Sequence, residues 1–217
     1  ILRIKEKPEL VVQTGGRPLG FAFDAKGQMW IADANRGLLL YSGGRLRVMV
    51  DQVDGAPLLY ADAVVAAKNG RIYFTDASNR FGAKQYGVMK ASVLDVLEQS
   101  CTGRLIEYDP ATAKAFTILS GLCFANGLAL DFREESVFVA ETGRARILRV
   151  FLAGKSRGAS LVFLDNLPGY PDNIVRGRGR FWTGLVKPRS NLADALAGWP
   201  FIRKIIVRLP QFLWPLP

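Results

Sequence analysis

The sequence predicts an all-β fold, a β-propeller, and two observations carry this prediction. One phrase occurs four times: an apolar strand, a turn that contains glycine in the first two copies, and a second apolar strand. The second strands close at Asp33, Asp76, Glu141 and Gly184, and two of the three intervals between them match the roughly 40–45 residues of a propeller blade. Further strands follow, and 115–119 in the second unit is a fourth, outer strand. About four blades of four strands are therefore visible.

The second repeat unit is longer than the first, which predicts an insertion at residues 77–102. Its latter half, 92–99, carries apolar residues at helical spacing. A long excursion between two strands of a blade has to leave the sheet and lie on one face of the propeller. Two interpretations stay open: a lid over the central channel, or a passive surface loop.

The strand pattern ends near residue 190, and 190–197 and 201–209 are predicted to be helical. We expect 190–217 to form a helical cap on a single domain that spans residues 1–217. The basic and aromatic residues of 199–217 allow two interpretations, peripheral contact with a membrane surface or packing over the chain's own domain. The sequence contains no signal peptide and no apolar span of about 18–20 residues. Localisation stays open, with membrane association expected if a longer chain carries an N-terminal anchor.

The composition indicates a globular protein and excludes several classes of site. The net charge is +10, but the basic residues are scattered, so we expect a solvated surface and no nucleic-acid partner. The chain has no histidine, which excludes Ser-His-Asp machinery and histidine-bound zinc within it. Cys101 and Cys123 either pair or remain buried free thiols. The sequence carries no signal for an oligomeric state.

A candidate metal site follows from aligning the four copies. Leu19, Asp62, Asn126 and Asp172 fall at one equivalent position, the start of each innermost strand, and Asn173 is adjacent. Innermost strands line the channel of a propeller, so these side chains should converge near one rim. Two carboxylates and two amides form the oxygen ligand set that Ca²⁺ prefers. The alternative is that these residues end turns by bonding to backbone amides.

A second equivalent position closes the second strand and holds Asp33, Asp76 and Glu141. We predict a structural role here. Each carboxylate should accept backbone hydrogen bonds or pair with an arginine of its own blade, such as Arg144.

Seven motifs cover nearly the whole chain in order, at 16–20, 72–76, 102–110, 124–127, 139–142, 168–174 and 199–204. With these motifs the chain resembles the strictosidine synthase-like proteins, a group that includes the adipocyte plasma membrane-associated protein. The resemblance implies a six-bladed propeller of the clan that also holds gluconolactonases and paraoxonases. It also implies that one preceding blade and one or two following blades are absent from this sequence.

The resemblance further implies calcium ligands at the starts of inner strands, which Asp62, Asn126, Asp172 and Asn173 match. Asp62 stands where asparagine is usual, and the family's glutamate ligand on the first blade has no counterpart. Leu19 stands where the paraoxonase branch carries its catalytic histidine, so that esterase mechanism is not supported. The glutamate base of strictosidine synthase lies toward the C-terminus, beyond this sequence.

Three functions follow as hypotheses. The first is a calcium-assisted hydrolase of small esters or lactones, arylesterase-like or lactonase-like, in which Asp172 or a metal-bound water attacks or acts as the base at the channel mouth. The second is an amine–aldehyde condensing enzyme of the strictosidine synthase type. The third is a non-catalytic, membrane-associated binding propeller. The small-molecule pocket is predicted to be lined by four residues: Leu19, Phe124, Tyr170 and Trp182.

Overall fold

The computed structural model describes residues 1–210, without the side chain of Leu192. Nearly half of the described chain lies in short antiparallel strands. The N-terminal strands are β1 (Leu2–Arg3), β2 (Glu9–Leu10), β3 (Pro18–Phe23), β4 (Met29–Asp33), β5 (Gly37–Ser42), β6 (Arg45–Val50), β7 (Gln52–Val53) and β8 (Ala56–Pro57). The next strands are β9 (Ala61–Ala66), β10 (Ile72–Asp76), β11 (Gly103–Asp109) and β12 (Lys114–Leu122).

The remaining strands belong to the third and fourth repeat units. They are β13 (Ala125–Leu130), β14 (Ser136–Glu141), β15 (Arg146–Phe151), β16 (Ser160–Leu164), β17 (Gly169–Gly177) and β18 (Arg180–Pro188). A short 3-10 helix, Thr142–Arg144, joins β14 to β15.

The sheets confirm the all-β propeller prediction. Strands β3 to β6, β9 to β12 and β13 to β16 form three four-stranded sheets, each connected in sequence order, and β17 pairs with β18. The first strand of each sheet packs against that of the next, β3 on β9, β9 on β13 and β13 on β17. These are the innermost strands of neighbouring blades. The six-bladed ring stays a prediction.

The core lies between neighbouring sheets. Trp30, Leu38, Phe74 and Ile106 are among the buried residues that pack the first sheet on the second. A second cluster, which includes Leu105 and Val139, joins the second sheet to the third. Burial of each large apolar side chain stabilises the fold by about 1.5–3 kcal/mol, so the stacking of the blades depends on these two clusters.

The insertion at 77–102 contains two helices, α1 (Ala83–Tyr86) and α2 (Val88–Glu98). Helix α2 begins earlier than the sequence indicated. Its buried residues Leu94 and Leu97 pack in one cluster with Tyr60 and Phe124, which precede innermost strands. The insertion therefore lies over the end of the propeller where the innermost strands start.

The two cysteines, whose state the sequence left open, form a disulfide between Cys101 and Cys123. Cys101 follows α2, and Cys123 precedes β13. The bond ties the end of the insertion to the strand that carries Asn126. The interpretation as free thiols is wrong.

The predicted cap contains α3 (Asn191–Ala195) and α4 (Pro200–Ile206), both shorter than the sequence indicated. Arg203 of α4 is buried and donates from Nη1 to the backbone oxygen of Leu97 at 3.2 Å, which fixes α4 on α2. Residues 211–217 of the predicted cap lie outside the described residues. Across residues 1–210, none of the helices combines the length and the hydropathy needed to span a bilayer.

Asp95 of α2 generates a pH prediction. Its side chain is buried and accepts a hydrogen bond from Ser100 Oγ at 2.5 Å, with Glu98 and Arg80 also near it. Burial raises the pKa of Asp95 to about 6. In the unfolded chain the pKa of an aspartate is ~4. Between these two pKa values the folded state therefore holds a proton that the unfolded state has lost. The contribution of Asp95 to the free energy of unfolding should therefore fall as the pH rises from ~4 to ~6, by on the order of 3 kcal/mol, and this contribution should level off above.

Asp95→Asn should remove this pH dependence, because the amide does not titrate. Urea denaturation between pH 4 and 8 measures it, with Glu6→Gln, at an exposed N-terminal position, as the matched control. Parallel pH profiles for the wild type and Asp95→Asn would contradict the prediction.

Candidate functional site

The predicted metal ligands lie around one cavity of about 340 Å³, together with three of the four predicted pocket residues. Leu19, Asp62 and Asn126 are each the second residue of an innermost strand, and Asp172 lies early in β17. All four line the cavity with Asn173. The repeat brings them together because equivalent positions of stacked blades face one axis.

The floor of the cavity is polar: Asp62 and Asn126 are buried, Asp172 is half-buried and Asn173 is exposed. Burial, and after it the neighbouring Asp172 carboxylate, raises the pKa of Asp62 to about 8. Asn126 is 5% exposed, and its Oδ1 accepts no hydrogen bond from the part of the chain that the structure describes. A buried amide oxygen without a donor is costly. This oxygen belongs to the same cavity as the carboxylates of Asp62 and Asp172.

Aromatic residues at one repeat position form part of the wall. Tyr60, Phe124 and Tyr170 each precede a floor residue by two positions, and all line the cavity. The rings of Tyr60 and Phe124 meet edge to face with centroids 5.2 Å apart. Tyr60 Oη donates to the backbone oxygen of Val88 at 3.1 Å, which joins the wall to helix α2. Burial, then the charge of Asp62, raises the pKa of Tyr60 above its ordinary value.

Helix α2 forms the opposite, apolar side of the cavity. Its contributing residues are Val88, Met89, Ser92, Val93, Val96 and Leu97. Lys187 and Ser190 add polar groups at the edge where β18 ends. The cavity thus presents oxygen atoms on one side and aliphatic side chains on the other, an arrangement that suits a small molecule with a polar reacting group and an apolar body.

The closing carboxylates hold the innermost strands in place, as the sequence predicted. Asp76 Oδ1 accepts the backbone N–H of Tyr60 at 2.8 Å, immediately before β9, and its Oδ2 accepts from Arg104 Nη2 at 2.7 Å. Asp76 is 0% exposed. Its carboxylate therefore joins the start of the innermost strand to the third strand of the same blade.

In the third unit Glu141 makes the same two kinds of bond, whereas in the first unit Asp33 bonds to the backbone alone and its Oδ2 has no partner within residues 1–210. Glu141 Oε1 accepts the backbone N–H of Cys123 at 2.9 Å, before β13, and its Oε2 accepts from Arg146 Nε at 2.5 Å. Asp33 Oδ1 accepts the backbone N–H of Arg17 at 2.9 Å, before β3. Both carboxylates are fully buried. We call Asp33, Asp76 and Glu141 the clamp carboxylates.

Two threonine hydroxyls link neighbouring blades at the cavity. Thr75 Oγ1 accepts the backbone N–H of Ala63 at 3.0 Å and donates to the backbone oxygen of Asn126 at 2.9 Å. Thr142 Oγ1 donates to the backbone oxygen of Pro171 at 2.7 Å. These bonds fix the spacing between the strands that carry Asp62, Asn126 and Asp172.

Glycines allow the innermost strands to approach closely. A Cβ at Gly127 would lie 2.5 Å from both Asn173 Cα and the backbone oxygen of Asp172, and one at Gly20 would lie 2.8 Å from the backbone oxygen of Asp62. Each glycine directly follows a repeat-aligned position, Leu19 or Asn126. Four residues that form the site were not predicted from the sequence: Gly127, Gly20, Tyr60 and Lys187. The aligned repeat contained a signal for Gly127, Gly20 and Tyr60, because each is adjacent or close to a repeat-aligned position.

One predicted pocket residue lies elsewhere. Trp182 is 57% exposed and pairs with Val175, toward the far end of β17 and β18. The cavity lies at the other end of this hairpin, where Asp172 and Lys187 line it. Trp182 therefore does not line the cavity, whereas Leu19, Phe124 and Tyr170 do.

The floor fits a hard cation in part. Within residues 1–210 there is no group of three or more His, Cys, Asp or Glu side chains that could hold a metal ion. The predicted set has two carboxylates, and its other oxygens come from Asn126 and Asn173. The unpartnered Asn126 Oδ1 beside Asp62 and Asp172 is the observation that fits Ca²⁺, which takes carboxylate and amide oxygens together with water.

Comparison with known proteins places these features in context. The family model described as strictosidine synthase matches residues 62–155. Strictosidine synthase-like protein 10 of Arabidopsis thaliana is 40% identical over 200 residues, which cover 90% of this chain and 52% of that protein. The adipocyte plasma membrane-associated protein of Salmo salar is 37% identical, with 89% and 48% covered. The chain thus spans about half the length of these curated relatives.

A solved structure supports the fold. A gluconolactonase from Xanthomonas campestris superposes with a TM-score of 0.63 at 20% sequence identity, covering 77% of this chain and 56% of that one. At this identity the likeness concerns the fold alone.

The close approach at Gly127 yields a prediction about the site. Gly127→Ala should force β13 and β17 apart, because the new Cβ would meet backbone atoms that cannot rotate away. We expect a loss of about 1–3 kcal/mol or more in the free energy of unfolding. Chemical denaturation measures this loss.

Gly184→Ala is the matched control, because nothing lies within 4 Å of the Cβ that it adds on β18. Its stability should stay close to that of the wild type. Equal stability of the two variants would show that the strands do not need this contact.

Proposed function

Because the chain belongs to the strictosidine synthase-like family, we propose a function that its cavity can perform: calcium-assisted hydrolysis of small esters or lactones. One observation carries the proposal. The buried, unpartnered Asn126 Oδ1 lies in one cavity with Asp62, Asp172 and Asn173. Four oxygen-bearing side chains converge there opposite an apolar wall that an acyl or aryl group can occupy.

The residues that would hold Ca²⁺ are Asp62, Asn126, Asp172 and Asn173. Bound there, Ca²⁺ supplies a Lewis acid that polarises the substrate carbonyl oxygen. The clamp carboxylates and the hydroxyls of Thr75 and Thr142 keep the floor residues in position without moving during the reaction.

Asp172 serves as the base in this proposal. Its carboxylate is half-buried and lines the cavity, so it can accept a proton from a water molecule as the water oxygen bonds to the carbonyl carbon. The bond from that carbon to the leaving oxygen then breaks, and the leaving oxygen takes up a proton. Helix α2 covers the apolar part of the substrate and limits access of bulk water.

Amine–aldehyde condensation is the second candidate. The strictosidine synthase family model favours it, together with the combination of aromatic walls and floor carboxylates in one cavity. The carboxylates of Asp62 and Asp172 could pair with the ammonium group of an amine substrate.

Calcium should stabilise the wild-type protein, and Asp172 should be needed for turnover. At 100 times its dissociation constant, a ligand adds about 2.7 kcal/mol to the free energy of unfolding. We therefore expect a rise of several degrees in Tm with CaCl₂, lost in Asn126→Ala. Asp172→Asn should lower hydrolysis of an aryl ester or a simple lactone at least a hundredfold. Thermal melts and a pH-stat assay measure the two effects.

Asp109→Asn, at the turn between β11 and β12, is the matched control. It should keep both the rise in Tm with CaCl₂ and the turnover of the ester or lactone. An unchanged Tm in excess CaCl₂ would contradict the metal site, and retained turnover in Asp172→Asn would contradict its role as base. Consumption of an amine with an aldehyde, without ester or lactone turnover, would favour condensation instead.

We also propose peripheral membrane contact through the cap. Trp199 and Phe201 are 61% and 74% exposed, beside the exposed basic residues Lys204 and Arg208. Exposed aromatic and basic residues on a short helix and its flanking residues suit the interface of an anionic bilayer. A relative named for association with the plasma membrane supports this proposal.

Replacing Trp199 and Phe201 together by serine should abolish co-flotation with vesicles that contain phosphatidylserine, because the aromatic rings supply the apolar contact. The double replacement of Phe21 and Phe23 by serine removes two comparably exposed rings from β3 and should leave flotation intact. Flotation of both variants like the wild type would rule out contact through the cap.

A further inference from the structure

A second cavity, of about 290 Å³, lies beside the candidate site and is lined by arginines. We call it the arginine cavity. Its walls come from the end of helix α2, the 3-10 helix after β14, and helices α3 and α4. Four guanidinium groups line it, those of Arg144, Arg146, Arg189 and Arg203. The proposed function makes no use of them.

Arg203 is a buried cation that lacks a carboxylate partner. Its side chain is 4% exposed and donates to the backbone oxygens of Leu196 at 2.8 Å, Leu97 at 3.2 Å and Ala193 at 2.5 Å. Within residues 1–210 no carboxylate lies within 4.0 Å of it. Burial lowers the pKa of Arg203, as expected for a charge removed from water.

Of the other three arginines, only Arg189 has a carboxylate partner of its own. Arg144 and Arg146 share the single carboxylate of Glu141, at 3.8 and 2.5 Å. Arg144 is 47% exposed at its side chain and makes no hydrogen bond within the described chain. Arg189 pairs with Asp194 at 3.0 Å.

The balance of charge around the arginine cavity is positive. Asp165 and Asp194 are the acidic residues on its wall, and Glu141 lies behind it. Four cations therefore face three anions. The exposed guanidinium of Arg144 has N–H donors that form no hydrogen bond within the described chain. Guanidinium groups present paired N–H donors that match the oxygens of carboxylates and phosphates.

We propose that the arginine cavity is a binding site for a small anion, a carboxylate or a phosphate group. Tyr170, Val96 and Ala193 line both this cavity and the candidate site, so the bound anion would lie one side chain away from the other cavity. The anion is either a free ion or the charged end of a small molecule. The proposal does not rest on the proposed hydrolase function.

Titration with inorganic phosphate and with acetate, at constant ionic strength set by NaCl, tests the site in the full chain. We expect at least one of the two anions to raise Tm with a saturating concentration dependence. A response to phosphate alone identifies a phosphate site, and a response to acetate identifies a carboxylate site. If neither anion raises Tm, the proposal is wrong.

The variant carrying both Arg144→Gln and Arg189→Gln should bind the effective anion at least tenfold more weakly in calorimetry. Both arginines are partly exposed and Arg146 still pairs with Glu141, so the fold should survive; Arg144→Gln alone provides a milder second variant. Arg178→Gln, at the exposed turn between β17 and β18, makes the same charge change outside the cavity and should bind like the wild type.

Anion binding that is equal in the wild type and in both Arg144 variants would overturn the assignment to this cavity. Asp172→Asn should leave anion binding unchanged. The failure of the hydrolase proposal and the failure of the anion proposal are therefore measured separately.

Discussion

The clamp carboxylates are the constraint on which the site depends. Each is fully buried, closes the second strand of its unit, and accepts a backbone N–H just before an innermost strand. A buried carboxylate without partners is costly, and removing one partner of a buried ion pair typically costs about 3–5 kcal/mol. Hydrogen bonding to the clamp carboxylate therefore fixes the position of the backbone where the innermost strand starts. In Asp76 and Glu141 an arginine of the third strand completes the pair, so the position of the channel rim is coupled to the body of the blade.

This constraint leaves the floor residues free for chemistry. Backbone bonds to the clamp carboxylates, hydroxyl bonds from Thr75 and Thr142, and the contact at Gly127 fix the strands without using the side chains of Asp62, Asn126 or Asp172. Asn126 Oδ1 consequently remains without a donor in the described chain, and Asp62 is buried beside another carboxylate. Helix α2, tied to β13 by the disulfide, covers this floor with apolar residues. The floor thus holds an unpartnered amide oxygen and two carboxylates under an apolar cover.

Repetition explains how much of this the sequence could predict. Equivalent positions in stacked blades face one axis, so the alignment predicted the meeting of Asp62, Asn126 and Asp172 and the structural role of the clamp carboxylates. Trp182 was misplaced because position along a strand, and not membership of the strand, decides which end of the channel a side chain reaches. The disulfide and the arginine cavity depend on contacts between the insertion, the third unit and the cap, which lie outside the repeat and leave no periodic signal.

A crystal structure of the protein grown with calcium would test the proposed metal site, because it locates the cation relative to the floor. We expect one anomalous peak within about 2.3–2.6 Å of oxygens from Asp62, Asn126 and Asp172, the distances usual for Ca²⁺. Calcium bound at another place, or a floor in which Asn126 Oδ1 bonds to a protein donor and no cation is present, would contradict it.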